Sequence, residues 1–386
     1  MISFTSDFEC GNGKLIDYEE KPGEIITFVA ESKLGEPAPM WFYFRVEGLK
    51  GADTEFVIAN AHQFLADFQE IDFTRDCPVY RPFKKEDGGS ENEWKRCGPC
   101  RIEEHKNNPP PRVSFIIPSC PECVEIAFCY PYPPSLAEKR IGNLKTYKKT
   151  VIGYSTRSRQ IIQYSMGDVS KELPLIYISC RQHAGEVAAS WVLDGLMEFL
   201  SNAAHLPFAL RIVPFVDIDG VTIGAYGKDQ KEGDMNRAWT PIRQNRAEID
   251  ALVRNMRTLA GQAGTLLVMD LHSPAHDVSG ILNNIYTFGN EEQKKIVNDL
   301  LSLLNGLLEK EGMETIPVNP GIAGDPGSSQ GSTGMQSQFV LEQMQSPRLL
   351  FEISYHSLRS GKTLTINDYR SYGTMIGRAL ITYFLK

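Results

Sequence analysis

His183-Ala184-Gly185-Glu186 and, further along the chain, His272 are the residues of this sequence best suited to chemistry. Two imidazoles and one carboxylate make an open zinc shell: three protein ligands, with the fourth position left to water or substrate. The short spacing predicts one helical turn between His183 and Glu186, so that both face one ion. The run Leu266-Leu267-Val268-Met269-Asp270-Leu271-His272 predicts a buried strand that delivers the third ligand at its carboxyl end. Open α/β sheets build their sites at that end. A His-x-x-Glu alone is a weak signal, because the pattern arises often by chance.

Two further motifs strengthen it. In Asp234-Met235-Asn236-Arg237 an arginine fork suits a substrate carboxylate, two parallel N–H donors matching two oxygens. Asp234 suits a place behind a metal histidine, taking its other ring N–H. In Leu349-Leu350-Phe351-Glu352-Ile353-Ser354 a carboxylate interrupts an apolar strand, which costs several kcal/mol unless the group is paired or has a task. Alone, Glu352 reads as a strand-end charge reaching solvent. Beside a zinc triad it reads as the general base that takes a proton from metal-activated water.

The order and context of these residues resemble the zinc carboxypeptidases, and within them the cytosolic carboxypeptidase branch. The matching stretches are Arg181-Gln182-His183-Ala184-Gly185-Glu186, Val213-Pro214-Phe215 through Asp219-Gly220-Val221, Gly233-Asp234-Met235-Asn236-Arg237, Met269-Asp270-Leu271-His272 and the strand of Glu352. Near the amino terminus, Trp41-Phe42-Tyr43-Phe44-Arg45-Val46 and Phe128-Cys129-Tyr130-Pro131-Tyr132 resemble that branch too. The resemblance spans nearly the whole chain; its motifs are specific as a set and weak singly.

The resemblance implies a doubly wound, mixed-sheet α/β catalytic domain preceded by a smaller all-β sandwich. It implies hydrolysis of a carboxyl-terminal peptide or isopeptide bond, with one catalytic zinc on His183, Glu186 and His272. Glu352 would be the base, and Arg237 with Asn236 would hold the α-carboxylate of a peptide or protein C-terminus. The sequence also departs from the family. Relatives carry an oxyanion-stabilising arginine between the Asp-Gly-Val turn and the Asn-Arg pair; here Gly227 stands there, with Lys228 the nearest cation. No tyrosine lies between Tyr286 and Tyr355, and no Lys or Arg from 311 to 347, where glutamate-trimming relatives place a basic residue. Two other readings stay open: a deacylase or amidase acting on a small N-acyl substrate, and a catalytically silent zinc-holding module whose sandwich recruits a partner.

Composition suits this picture. The 386 residues are enough for two cores, and 42% apolar with 23% charged residues is globular. No apolar stretch approaches the ~20 residues of a membrane span, and the first residues lack the pattern of a signal peptide, so a cytoplasmic protein is expected. A net charge of −8 argues against nucleic acid or acidic membrane as a partner. The Pro-rich Tyr130-Pro131-Tyr132-Pro133-Pro134 predicts the boundary between a sandwich, 1–130, and the catalytic domain, 131–386. Beyond it, strands at 173–180, 208–216, 266–272 and 349–354 alternate with helices at 186–200, 246–259, 291–311 and 366–385.

Cys97-Gly98-Pro99-Cys100 and Cys120-Pro121-Glu122-Cys123 have the spacing of a four-thiolate site and predict a second, structural zinc if their two turns meet at one end of a sheet. A redox dithiol and two disulfides are the competing readings. Cys10, Cys77, Cys129 and Cys180 read as ordinary thiols. The Gly/Ser-rich tract 321–334 reads as a surface loop by composition, or as a lid by its place before the Glu352 strand. His62 and His205 read as helix or loop histidines, His276 as a residue that could line the cleft, and 84–95 as a solvated loop.

Overall fold

The structure, a computed structural model, describes residues 2–20, 23–65, 77–83, 94–103, 112–240, 246–273, 281–282, 290–316 and 334–385. Two five-stranded sheets open the chain. One runs β1 (Ser3–Thr5), β4 (Tyr43–Glu47), β10 (Cys123–Ala127), β6 (Val79–Pro82), β7 (Lys95–Arg96). The other runs β2 (Lys14–Glu19), β3 (Glu24–Val29), β5 (Thr54–Ile58), β9 (Arg112–Ile117), β8 (Arg101–Glu103). Buried Phe28, Phe42, Phe44, Phe56 and Phe115 pack edge-on, tilted or stacked in the layer between them. Period-two alternation, apolar inward, dictates this arrangement, as in β3 with its strict buried and half-buried pattern.

A seven-stranded mixed sheet follows, in the order β11 (Lys148–Tyr154), β12 (Gln160–Met166), β14 (Ala209–Val213), β13 (Pro174–Cys180), β15 (Thr265–His272), β17 (Arg348–Ile353), β16 (Ile281–Leu282). Its centre, β14-β13-β15-β17, is parallel. Those strands are buried almost throughout, as strands covered by helices on both faces must be. The helices are α1 (Pro134–Leu144), α2 (Ala188–Ser201), α3 (Ile218–Ile223), α4 (Ala247–Ala260), α5 (Glu291–Lys310), the one-turn α6 (Gln336–Gln338) and α7 (Ile366–Phe384). One apolar cluster runs unbroken from the first two sheets into α2, α5 and α7; a second, with Trp239, Leu252 and Phe339, covers the other face.

The architecture is the expected α/β sheet behind a β-sandwich. The hairpin β11–β12 was not legible in the sequence: β11 is exposed along much of its length, so it lacks an apolar pattern. The tract 321–333, most of 84–95, His276 and Tyr286 lie outside the described residues. Among the described residues, no helix is long and apolar enough to cross a membrane.

Candidate metal centre

The four parallel strands end on one side, at Val213, Cys180, His272 and Ile353, and the residues singled out above gather there. After Cys180 the chain turns sharply through Arg181, whose φ is 58°. The buried Arg181 guanidinium secures that turn, Nε donating to Ala184 O (2.8 Å) and Nη1 to Ser190 Oγ (3.0 Å). His183 and Glu186 therefore sit in a tight turn before α2, not in the helix expected for them. Their proximity survives because Glu186 N donates to His183 O at 3.2 Å, closing one turn of chain. The ring of Tyr226 packs on Gly185, where a Cβ would lie 2.5 Å from Tyr226 Cδ2, so that position between the two candidate ligands requires glycine.

His183 Nδ1 lies 2.6 Å from Glu186 Oε1, and His272 Nδ1 lies 2.8 Å from Glu186 Oε2. One donor atom from each residue falls within 4.8 Å of the others, the one such group of His, Cys, Asp or Glu among the described residues. The far side of each ring meets an aspartate. His183 Nε2 is 3.2 Å from both oxygens of Asp234, and His272 Nε2 is 3.0 Å from Asp270 Oδ2. A proton on each Nε2, donated to its aspartate, leaves each Nδ1 lone pair aimed at the same space, as metal-ligating histidines require. Asp270 is tied down in turn by Gln182 Nε2 (2.7 Å), Arg348 Nη2 (2.8 Å) and Ser179 Oγ (2.9 Å).

The electrostatics suit a cation. Burial disfavours a charged His183, yet Glu186 and then Asp234 outweigh it and push the ring up to about 9. Burial likewise opposes His272, and Asp270 and Glu186 hold it well above the ordinary imidazole range. Burial would raise Glu186, but His183 and His272 bring it down to about 2. Three buried carboxylates around two rings thus concentrate negative potential that protons, or a divalent ion in their place, would neutralise.

Glu352 stands opposite His272 in the β15–β17 register. It is half-buried, and its Oε2 is shielded from solvent with no partner among the described residues. Burial raises its carboxyl above the ordinary glutamate range; Glu186 adds to this, against the opposing charges of His272 and Lys228. Asp234 caps the short turn Met235–Arg237 through Asn236 N (2.7 Å). Asn236 is buried and its Oδ1 accepts from Gln336 N at 3.1 Å. Arg237 is half-buried, with Nη1 on Asn236 O at 3.1 Å and no ion pair among the described residues.

The cysteines do not converge. Among the described residues no three of the sulfurs of Cys97, Cys100, Cys120 and Cys123 come within 4.8 Å of one another, so the expected four-thiolate geometry is not formed. Cys97 and Cys100 follow β7, whose partner is β6, and Cys97 N donates to Pro78 O, bringing Cys77 beside Cys97. Cys120 N is bonded to Ala52 O, whereas Cys123 opens β10 opposite Glu47 and is only half-buried. Burial, with Cys100, Cys77 and Cys120 nearby, pushes the Cys97 thiol well up. No disulfide joins the described cysteines. His62 and His205 are exposed.

Several residues of the site were not picked out from sequence. Asp270 was detectable by parity, since a residue two before His272 on a strand shares its face. Gln182, Arg348, Tyr226 and Glu36 carried no local signal; their contacts span long stretches of chain.

Comparison with known proteins fits the geometry. A family model described as the cytosolic carboxypeptidase N-terminal domain matches residues 4–108. Cytosolic carboxypeptidase 6 of Caenorhabditis elegans is 24% identical over 347 residues, covering 83% of this chain and 73% of the nematode protein. Cytosolic carboxypeptidase 6 of Mus musculus is 25% identical over 263 residues, 62% of this chain, and the match spans just 46% of the mouse protein. The metallo-carboxypeptidase of Burkholderia cenocepacia superposes with a TM-score of 0.79 at 16% identity, over 99% of this chain and 98% of that one. That of Pseudomonas aeruginosa, solved in complex with (2-guanidinoethylmercapto)succinic acid, gives 0.77 at 17% identity over 100% of both chains. Sheet and sandwich thus have the fold of these metallo-carboxypeptidases. The chain is similar in sequence to the cytosolic carboxypeptidases and shares its fold with metallo-carboxypeptidases.

Proposed function

We propose that this chain is a zinc-dependent carboxypeptidase, residues 1–130 forming its sandwich and 131–386 its catalytic domain. Its substrate is the carboxyl-terminal peptide or isopeptide bond of a peptide or protein, and the relatives' names support a cytosolic setting. One observation carries this reading: His183, Glu186 and His272 converge with Glu352 beside His272 on the neighbouring strand.

The donor set, two imidazole nitrogens and a carboxylate with an aspartate behind each ring, fits zinc. Zinc held there by His183, Glu186 and His272 would polarise the scissile carbonyl and acidify the attacking water. Glu352, with an unpartnered oxygen and a raised affinity for protons, takes the proton of that water and passes it to the leaving amine. Arg237, with donors to spare, binds the terminal α-carboxylate, and Asn236 fixes the turn that presents it. Such a clamp admits the chain end alone and makes the enzyme an exopeptidase.

The test is a pair of peptides identical but for a free or amidated C-terminus, with N-acyl amino acids as a third substrate. Release of single residues from the free peptide alone is the expected result. Equal cleavage of the amidated peptide would overturn the role of Arg237. Turnover confined to N-acyl amino acids would replace the carboxypeptidase with a deacylase, and no turnover at all would leave a silent module.

A further inference from the structure

Gln336 is fully buried between two parts of the candidate site, the turn of Asn236 and Arg237 and the aspartate behind His272. Its backbone N–H donates to Asn236 Oδ1 at 3.1 Å. Its side chain reaches the other way, Oε1 accepting from Arg348 Nε (3.0 Å) and Nε2 donating to Ser179 Oγ (2.8 Å). Ser179 Oγ donates in turn to Asp270 Oδ1 at 2.9 Å, and Asp270 Oδ2 lies 3.0 Å from His272 Nε2.

Every direction in this chain is forced. Arginine has donors alone, so the atom of Gln336 that faces Arg348 is its oxygen and the one that faces Ser179 is its nitrogen. The Ser179 hydroxyl, already accepting, has one proton to give, and Asp270 Oδ1 is nearer than Met269 O at 3.5 Å. Arg348 closes the ring with Nη2 on Asp270 Oδ2 at 2.8 Å. Ser179 and Asp270 are fully buried, and the Arg348 side chain nearly so. Away from water, an unmatched partner in such a network is costly, so the ring holds its members in one arrangement.

A second string runs beside the first. Trp239, two residues beyond Arg237, donates through Nε1 to Gln182 Oε1 (2.8 Å), and Gln182 Nε2 donates to Asp270 Oδ2 (2.7 Å). Trp239 N also donates to Gly334 O (2.9 Å), two residues before Gln336. A Cβ on Gly334 would collide with Arg237 O, so this segment lies directly against the turn.

We infer that Gln336 is a positioning residue that ties the Asn236–Arg237 turn to the aspartate orienting His272. One side chain that touches neither ligand thereby sets the affinity for both zinc and the terminal carboxylate. This rests on the zinc and Arg237 roles proposed above.

The experiment uses full-length wild type, Gln336→Met, Ser179→Ala and the double variant. Gln336→Met keeps the length of the side chain and removes both polar atoms; Ser179→Ala cuts the same chain at its next link with a smaller change. Each single variant should weaken zinc binding by about tenfold, read by competition with a chromogenic chelator. The double variant should lose no more than the weaker-binding single one, because both break one chain. At saturating zinc, Gln336→Met should also bind the free product amino acid more weakly by calorimetry and show a raised KM for a peptide with a free C-terminus. Zinc affinity indifferent to both substitutions, or losses that add in the double variant, would overturn the inference while leaving the metal centre intact. So would weaker zinc binding with amino-acid affinity and KM unchanged, or a lower melting temperature as the sole effect. A wild type that binds no zinc, or whose zinc is unaffected by His183→Ala, would remove the functional reading and this inference with it.

Discussion

Glu36, from the segment between β3 and β4, accepts a hydrogen bond through Oε1 from Tyr226 N at 3.1 Å, although the two residues are 190 positions apart. Its Oε2 accepts from Leu34 N at 2.6 Å, and Glu36 itself is buried. The amino-terminal sheets thus hold the loop whose tyrosine packs on the turn of His183 and Glu186. Removing the acceptor in Glu36→Ala leaves two amides without partners, which should cost about 1–3 kcal/mol each. The melting temperature should fall and kcat/KM should fall with it, while Glu36→Gln keeps a carbonyl acceptor and recovers part of both. Unaltered kinetics in a folded Glu36→Ala would show that the sandwich does not act on the site.

Glu352→Gln keeps the shape of the side chain and loses the basic oxygen. Turnover should fall by about 10²–10⁴, with zinc content measured by elemental analysis unaltered. As the proposed base, Glu352 must be ionised to act in the wild type. Since burial raises its affinity for protons, the acid limb of kcat/KM should lie above the ordinary glutamate value and fall as pH drops through it. A pH–rate profile for both proteins tests the assignment.

Zinc loading should release protons. Without metal, His183 titrates at about 9 and His272 well above the ordinary range, so both are charged at neutral pH. Binding through both Nδ1 atoms displaces about two protons, because a ligating imidazole must be neutral. Calorimetry in buffers of different ionisation enthalpy measures this directly. The same shift bears on the stability of metal-free protein. A raised histidine stabilises the fold fully below about 6.5, its unfolded value, and the contribution is lost as pH rises through about 9. Glu186, lowered to about 2, contributes above its ordinary value of 4.5 and loses its effect as pH falls toward 2. Metal-free protein should therefore melt lower at pH 10 than at pH 6, and zinc should reduce the difference.

Asp270 holds His272 from behind while accepting from Gln182, Arg348 and Ser179. Asp270→Asn should weaken zinc binding by about 10–100-fold, read by competition with a chromogenic chelator. Unchanged affinity would mean that the ring is oriented by packing alone.

The residue types proposed to do the chemistry were legible in the linear sequence. Histidine and carboxylate at short spacing, a histidine ending an apolar run and a glutamate inside another are local patterns, and local patterns survive into the fold. So were the central strands, because a strand buried on both faces must be apolar along its length. Tertiary structure decided the rest. It placed His183 and Glu186 in a turn instead of a helix, held locally by Arg181 and packed against by Tyr226 from elsewhere in the chain. It set Glu352 opposite His272 through strand register, which no single segment encodes. It kept the two cysteine pairs from closing around an ion, although their spacing allowed it, because Cys97 lies at one end of the shared strand β6, beside Pro78, and Cys123 at the other, beside Phe83. Sequence spacing specifies which donors are available; only long-range packing specifies where each one points.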